Sequence, residues 1–420
     1  MNKKYYKEYK ETVYEEVLDN GLKVVLLPKE GYTSSFAYFT TKFGGSYYNI
    51  DVNGTKLISG LAHFLEHRLF DYPKGNVMHL YDALGAMTNA YTSYDITTYL
   101  FKTSSNLEKC VNLLLDFVQL AEFPEEKVEN EKKIISQEYH LGNDNPVRKL
   151  YSTVLKNTCY NYPLREQVIG TLEDINSTTR DLLYLAHRTF YHPSNMSLVI
   201  AGGFDPKKLI KVIRNNQNKK TFEDKIIPEL DIEEPLKVSK EREEIKVGLP
   251  YLKVGIGYKF KTKKYKSKVE EYKHSLLTEM VLDLLFGRSS TLNDTLLKEQ
   301  VILTPIMYSS EIVPSMNSLF LFADTLNEEV LVSRFDEIIK NAEKYISEES
   351  FERIKKAYIS TSISALDDVD SYAEKTMRTL PYDGINALDT INILKELTYD
   401  DIKDVISYYK DFVKSITVLK

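Results

Sequence analysis

Apolar and β-branched residues crowd two short stretches near the start of the chain, LKVVLLP and SSFAYFTTKF, with Gly31 in the break and Gly44-Gly45 closing the run. Such runs bounded by glycine predict strands. From about Ser59 to Phe70 the apolar residues move to a spacing of three and four, which predicts a helix, and NAYTSYD with TTYLFKT then predicts a second strand pair. NLEKCVNLLLDFVQLAEF follows as an amphipathic helix. Pro124 opens another, PEEKVENEKKIISQEYHLG, with proline in the first turn, acids near the start and Gly142 placed after the expected end. MSLVIAGGF, from Met196, reads as a further strand.

Between about Arg214 and Lys246 the text turns polar and charged, as in an exposed linker that few contacts cross. Beyond it the order of the opening segment returns: strands EIKVGL and YLKVGIGYKF, the helix HSLLTEMVLDLLF, then more strand and helix. We therefore expect a first domain over 1–214, a linker over 215–246 and a homologous second domain over 247–420. The fold class is α+β, two mixed α/β domains of mostly antiparallel sheet with helices packed on it.

Composition narrows the function. Of 420 residues, 43% are hydrophobic and 28% charged, a balance that suits folded globular domains. Lys plus Arg number 55 and Asp plus Glu 61, a formal charge of −6, which argues against an extended phosphate-binding surface, so no nucleic-acid partner is expected. No apolar run is long enough to cross a bilayer, and no membrane role is expected. The opening residues hold Glu8, Glu11, Glu15 and Glu16 and no apolar core, unlike a secretory or transit leader. Two cysteines, Cys110 and Cys159, make no disulfide framework, and such sparse use favours a reducing, cytoplasmic setting.

The string GLAHFLEHRLF carries His63, Glu66 and His67 in the order H-x-x-E-H. On a helix the two histidines stand one turn apart on one face, close enough for both imidazoles to reach one Zn²⁺, while Leu61, Leu65 and Leu69 gather on another face. Glu66 falls beside the metal direction, where a carboxylate takes a proton from water rather than binding the ion. Two histidines and an acid also share helix surfaces by chance, so a third ligand is needed; His79, His140, His187, His192 and His274 are candidates, as is any well-placed acid. In the helix after Pro124, Glu131 and Glu138 fall within an apolar arc of Val128, Ile134, Ile135, Tyr139 and Leu141. Carboxylates there ask for a cation, which makes Glu138 the favoured third ligand unless Arg148 or a lysine compensates it.

These residues resemble the pitrilysin and insulinase family of zinc metallopeptidases, the inverzincins, whose motif is HxxEH followed some seventy residues later by a glutamate with a partner seven positions before it. EKKIISQE, between Glu131 and Glu138, is similar to the family's segment, as are NAYTSYDITTY and FYHPSNMSLVIAGGFD. The resemblance implies one Zn²⁺ per chain held by His63, His67 and Glu138, with Glu66 as general base and Glu131 supporting the site from behind. It implies an extended peptide substrate added to the strand of Asn89 and Ala90, inside a half-clamshell like that of mitochondrial processing peptidase. Active relatives carry an arginine and, seven residues later, a tyrosine in the second domain; GRSSTLNDTLLKEQVILTP puts Lys298 and Pro305 there, with Tyr308 out of register and Arg288 nearby.

The expected function is a zinc endopeptidase of unfolded peptides or precursor segments, working as the catalytic subunit of a homodimer or of a heterodimer whose sister supplies the missing contacts. A structural or docking subunit of the same family is the alternative, and a zinc hydrolase of non-peptide amides is a further rival.

Overall fold

The computed structural model describes residues 1–223 and 226–420, without the side chains of 381–383; Asp224 and Lys225, in the expected linker, lie outside the described residues. The chain divides into two compact units, one of residues 1–139, 167–230 and 362–390, the other of 140–166, 231–361 and 391–420.

The first unit is built on a seven-stranded sheet. Its strands are β1 (Asn2–Tyr6), β2 (Glu11–Val17), β3 (Lys23–Pro28), β4 (Ser35–Thr41), β5 (Ala86–Thr92), β6 (Thr97–Thr103) and β7 (Met196–Gly202), in the spatial order β1-β2-β3-β7-β4-β6-β5. Only β3 and β7 run parallel; β4 pairs antiparallel with β7 and β6, and β6 with β5. β5 is thus an edge, paired on one side alone.

Every residue of the central β4 is buried, so both faces of the sheet are covered. Side chains alternate along a strand. Ala37 and Phe39 join the main core with Val24, Leu26, Leu61, Leu65 and Tyr99, whereas Tyr38, on the opposite face, gives its hydroxyl to Asp370. Asp370 lies on the helix Val369–Asp383, which packs on β4 and β7. A segment from late in the chain therefore closes the second face of the first sheet.

The second unit repeats the plan with five strands: β8 (Arg242–Ile245), β9 (Leu252–Phe260), β10 (Met307–Val313), β11 (Met316–Thr325) and β12 (Val413–Leu419), ordered β8-β12-β9-β11-β10. β8 is parallel to β12, and every other pair is antiparallel. Strand for strand this matches β3-β7-β4-β6-β5, so the duplication expected from sequence is present in strand order and direction. The segment read as linker ends in β8. No described helix is long and apolar enough to cross a membrane.

Candidate metal centre

Helix α1 (Leu61–Leu69) is only nine residues long. An isolated helix of that length is marginal in water, so packing must hold it. Leu61, Leu65 and Leu69 are at most 3% exposed and supply that packing, about 1.5–3 kcal/mol for each side chain fully buried. Its start is fixed by close approach rather than by a side-chain cap. Gly60 sits at φ 78° with no cap hydrogen bond, and a Cβ there would come 2.4 Å from the Ile169 carbonyl oxygen. Ser59, just before it, gives both its amide and its hydroxyl to Asp174. With the apolar face thus anchored, His63, Glu66 and His67 project from the other side.

The helix bearing the acids, α2 (Glu125–Asp144), runs through Gly142 and does not stop before it. Gly142 has no positive φ and an added Cβ would meet nothing closer than 3.6 Å, so nothing local ends the helix there. Its buried side is also narrower than the sequence suggests: Val128, Glu131 and Ile135 are buried, while Ile134 and Leu141 are 53% and 74% exposed. Both acids were expected inside the apolar arc; Glu131 is there, but the Glu138 side chain is 42% exposed.

The two helices bring together three donors. Glu138 Oε2 lies 3.7 Å from Nε2 of His63 and 3.7 Å from Nε2 of His67. Those separations are too long for hydrogen bonds. They exceed by a few tenths of an ångström the roughly 3.3 Å edge of a tetrahedron with zinc–ligand bonds of about 2.0–2.1 Å. All three donor atoms lie within 4.8 Å of one another. Burial depresses His63 to a pKa of about 3, so its ring is neutral near neutral pH, the form a metal needs. Its buried Nδ1 has no partner among the described residues. Two neutral-capable imidazoles and one carboxylate, left open on one side, are a donor set that could hold a metal ion.

Two family descriptions match the chain, insulinase (peptidase family M16) over residues 51–172 and peptidase M16 inactive domain over 177–358. Along nearly its whole length the chain is 35% identical, over 408 residues, to the Bacillus subtilis protein named zinc protease YmfH, covering 96% of this chain and 94% of that one. The chain belongs to the insulinase (M16) family. The zinc protease PqqE of Helicobacter pylori is 30% identical over 226 residues, covering 52% of this chain and 50% of that protein. Among solved structures, an M16-like peptidase of Alicyclobacillus acidocaldarius superposes with a TM-score of 0.89 at 29% identity, covering 97% of this chain and 98% of that one. A protease of Helicobacter pylori shares the fold with a TM-score of 0.83 at 23% identity, covering 97% and 99%. This kinship supports a metallopeptidase role.

Behind the ring of His67 the polar contacts continue into the M16 domain. His67 Nδ1 is 3.0 Å from Glu131 Oε1, and Glu131 Oε2 accepts Arg68 Nη1 at 3.1 Å. Arg68, only 2% exposed, also reaches Asp71 at 2.9 Å. Burial alone would lower His67, but the hydrogen bond and charge of Glu131 outweigh it and raise its pKa, so any metal would compete with a proton for this ring. Burial pushes Glu131 up, and His67 with Arg68 more than reverse this, holding it low. Glu66 is raised, chiefly by burial, although a hydrogen bond from Thr92 opposes that. Sequence reasoning missed Arg68 and Thr92. Thr92 lies inside the strand segment NAYTSYD, whereas Arg68 carries no signal beyond its place beside His67.

Asn89 and Ala90 sit in the middle of the edge strand β5, opposite Leu100 and Tyr99 of β6, and Asn89 Oδ1 accepts the Ala90 amide at 2.9 Å. In the second unit, Lys298 is exposed at the end of the helix Thr291–Lys298, and Pro305 and Tyr308 line a cavity of about 570 Å³ with the exposed Arg288. The Tyr308 hydroxyl is bound to Asp283. His187 and His274, weighed as ligands from sequence, are buried elsewhere, with His187 Nε2 on the Val118 carbonyl and His274 Nδ1 on the Tyr265 hydroxyl.

Proposed function

We propose that this chain is a zinc endopeptidase of unfolded peptides or precursor segments, in which His63, His67 and Glu138 hold one Zn²⁺ and Glu66 is the general base. The observation that carries the reading is the approach of both Nε2 atoms to one oxygen of Glu138, at 3.7 Å each, too far for hydrogen bonding and near the spacing of ligands around zinc. When bound, zinc polarises a scissile carbonyl and acidifies water.

The protein's own groups do the rest. Glu131 takes the Nδ1–H of His67 and so turns Nε2 toward the open side. Arg68, held also by Asp71, keeps Glu131 in place. Glu66, with its pKa raised by burial, is suited to accept the proton of the attacking water and to pass it to the leaving amine. The open edge of β5 at Asn89 and Ala90 is suited to receive an extended peptide as an added strand, which favours chains without fixed structure of their own.

Lys298 and Pro305, standing where the family's arginine and tyrosine are expected, favour a chain that works beside a second subunit supplying those contacts. Relatives occur in assemblies: one is named cytochrome b-c1 complex subunit 1 of Mus musculus, 29% identical over 223 residues.

The test is Glu66→Gln in the full chain. Zinc content should stay at that of the wild type while peptide hydrolysis falls about 10²- to 10⁴-fold, the usual share of a general base. His63→Ala should lose both. Turnover retained in Glu66→Gln removes it from the base role, and absence of zinc from the wild type removes the enzyme reading.

A further inference from the structure

Glu66 is tied at one oxygen. Its Oε2 accepts the Thr92 hydroxyl at 2.6 Å. Directly across the β5–β6 pair, Thr97 Oγ1 is 3.4 Å from Thr92 Oγ1 and gives its own proton to the Phe43 carbonyl at 2.8 Å. A hydroxyl has one proton and an ionised carboxylate has none to give. The Thr92 proton therefore goes to Glu66, which leaves the other oxygen of Glu66 free to take a proton.

The residue that faces Thr92 across the strand pair belongs to the core. Thr97 is fully buried, and so are Tyr99 and Tyr191, whose hydroxyls meet at 2.9 Å within the same core. Thr92 also stands two residues beyond Ala90, and side chains two apart on a strand share a face. Thr88, Ala90 and Thr92 thus form one row on β5, and the row ends at the carboxylate of α1.

We propose that Thr92 is a positioning residue of the peptidase: it fixes one oxygen of Glu66 and ties that side chain to the edge strand on which the substrate lies. A glutamate has three side-chain torsions to hold, and a base must stay within hydrogen-bond reach of the proton it abstracts. The strand that receives the peptide thereby sets the orientation of the group that cleaves it. This inference rests on the zinc peptidase reading.

The experiment compares wild type, Thr92→Val, Thr92→Ser and Glu66→Gln as full-length zinc-loaded protein, with an internally quenched fluorescent peptide as substrate. Valine keeps the shape of threonine and removes only the hydroxyl. Thr92→Val should lower kcat about 10- to 100-fold, the range found when a group supporting a catalytic side chain is removed. Its KM, zinc content and melting temperature should stay at wild-type values. Thr92→Ser should recover most of the rate. A wild-type kcat in Thr92→Val beside an inactive Glu66→Gln overturns the Thr92 inference alone. So does an equal loss in Thr92→Ser, or a loss in Thr92→Val that follows zinc content, KM or melting temperature. Turnover retained in Glu66→Gln, or no hydrolysis by zinc-loaded wild type, overturns the peptidase reading and this inference with it.

Discussion

Helix α1 beside β5 in the first sheet has a counterpart in α3 (Lys268–Phe286) beside β10 in the second, each packed against the edge strand of the same five-strand order. Among the described residues only the first corner brings three metal-binding groups together. On α3 the corresponding bulk is apolar: Leu276, Leu277, Met280 and Val281 are buried. Asp283 of α3 takes hydroxyls from Tyr308 of β10 and, at 2.5 Å, from Tyr358, which occupies both carboxylate oxygens. The same scaffold thus makes one corner where side-chain donors are left facing each other, and another where they are satisfied internally. Fold sets the place, and the choice of residues sets the chemistry.

The buried ion pairs offer the sharpest way to break this comparison. Arg68→Met strips Glu131 of its guanidinium in the first unit and should cost about 3–5 kcal/mol, the loss seen when one partner of a buried pair is removed. It should also weaken zinc binding about 10- to 100-fold, because Glu131 loses the anchor that holds it against His67. Lys259→Met removes the partner of Glu234 in the second unit, but Glu234 keeps the amides of Tyr160, Asn161 and Tyr162 at 2.6–2.7 Å. The loss there should be about 1–3 kcal/mol, with zinc unchanged. Urea unfolding and zinc titration check both, and equal effects on zinc would remove the distinction between the corners.

Each unit also buries a histidine, His187 in the first and His274 in the second, held by burial at a pKa of about 4. The folded value lies below the unfolded one, so these rings cost nothing above about pH 6.5; as pH falls toward 4 the unfolded chain takes up the proton first and the fold loses stability, a loss growing to about 3 kcal/mol each. His187→Gln and His274→Gln should each flatten the decline of unfolding free energy between pH 7 and pH 4.5. Parallel curves for variant and wild type would exclude that histidine as a cause.

A smaller contrast lies at the helix starts. Gly60→Ala forces a left-handed residue and a backbone clash, costing about 1–3 kcal/mol from conformation alone, and should lower zinc affinity by shifting α1. Ser267 caps α3 by accepting the Glu270 amide at 3.2 Å, and Ser267→Ala should cost about 1 kcal/mol and leave zinc affinity unaltered. Thermal melts with a zinc competition assay separate the two.

Much of the first corner was legible in the letters, because both the HxxEH helix and the helix of Glu131 and Glu138 have strong periodicity and the donors fall at helical spacing. The misreadings have physical reasons. Ile134 and Leu141 count toward the apolar arc, yet stand in solvent, because hydrophobicity does not say which apolar residues a helix leaves in water. Strands β1 and β2 went unread because NKKYY and ETVYEEV carry polar residues on most positions, as sheet edges often do. The helix Val369–Asp383 has no local mark that it returns to the first sheet, since that placement depends on packing against Tyr38 and its neighbours far back in the chain.

An open strand is also a hazard, for its unsatisfied backbone attracts any unfolded chain nearby. By lending its side-chain oxygen to the Ala90 amide, Asn89 keeps that position provisionally occupied. A visitor must evict this placeholder before it can bond there, so casual sticking gains little and only a guest that fits along the strand is rewarded.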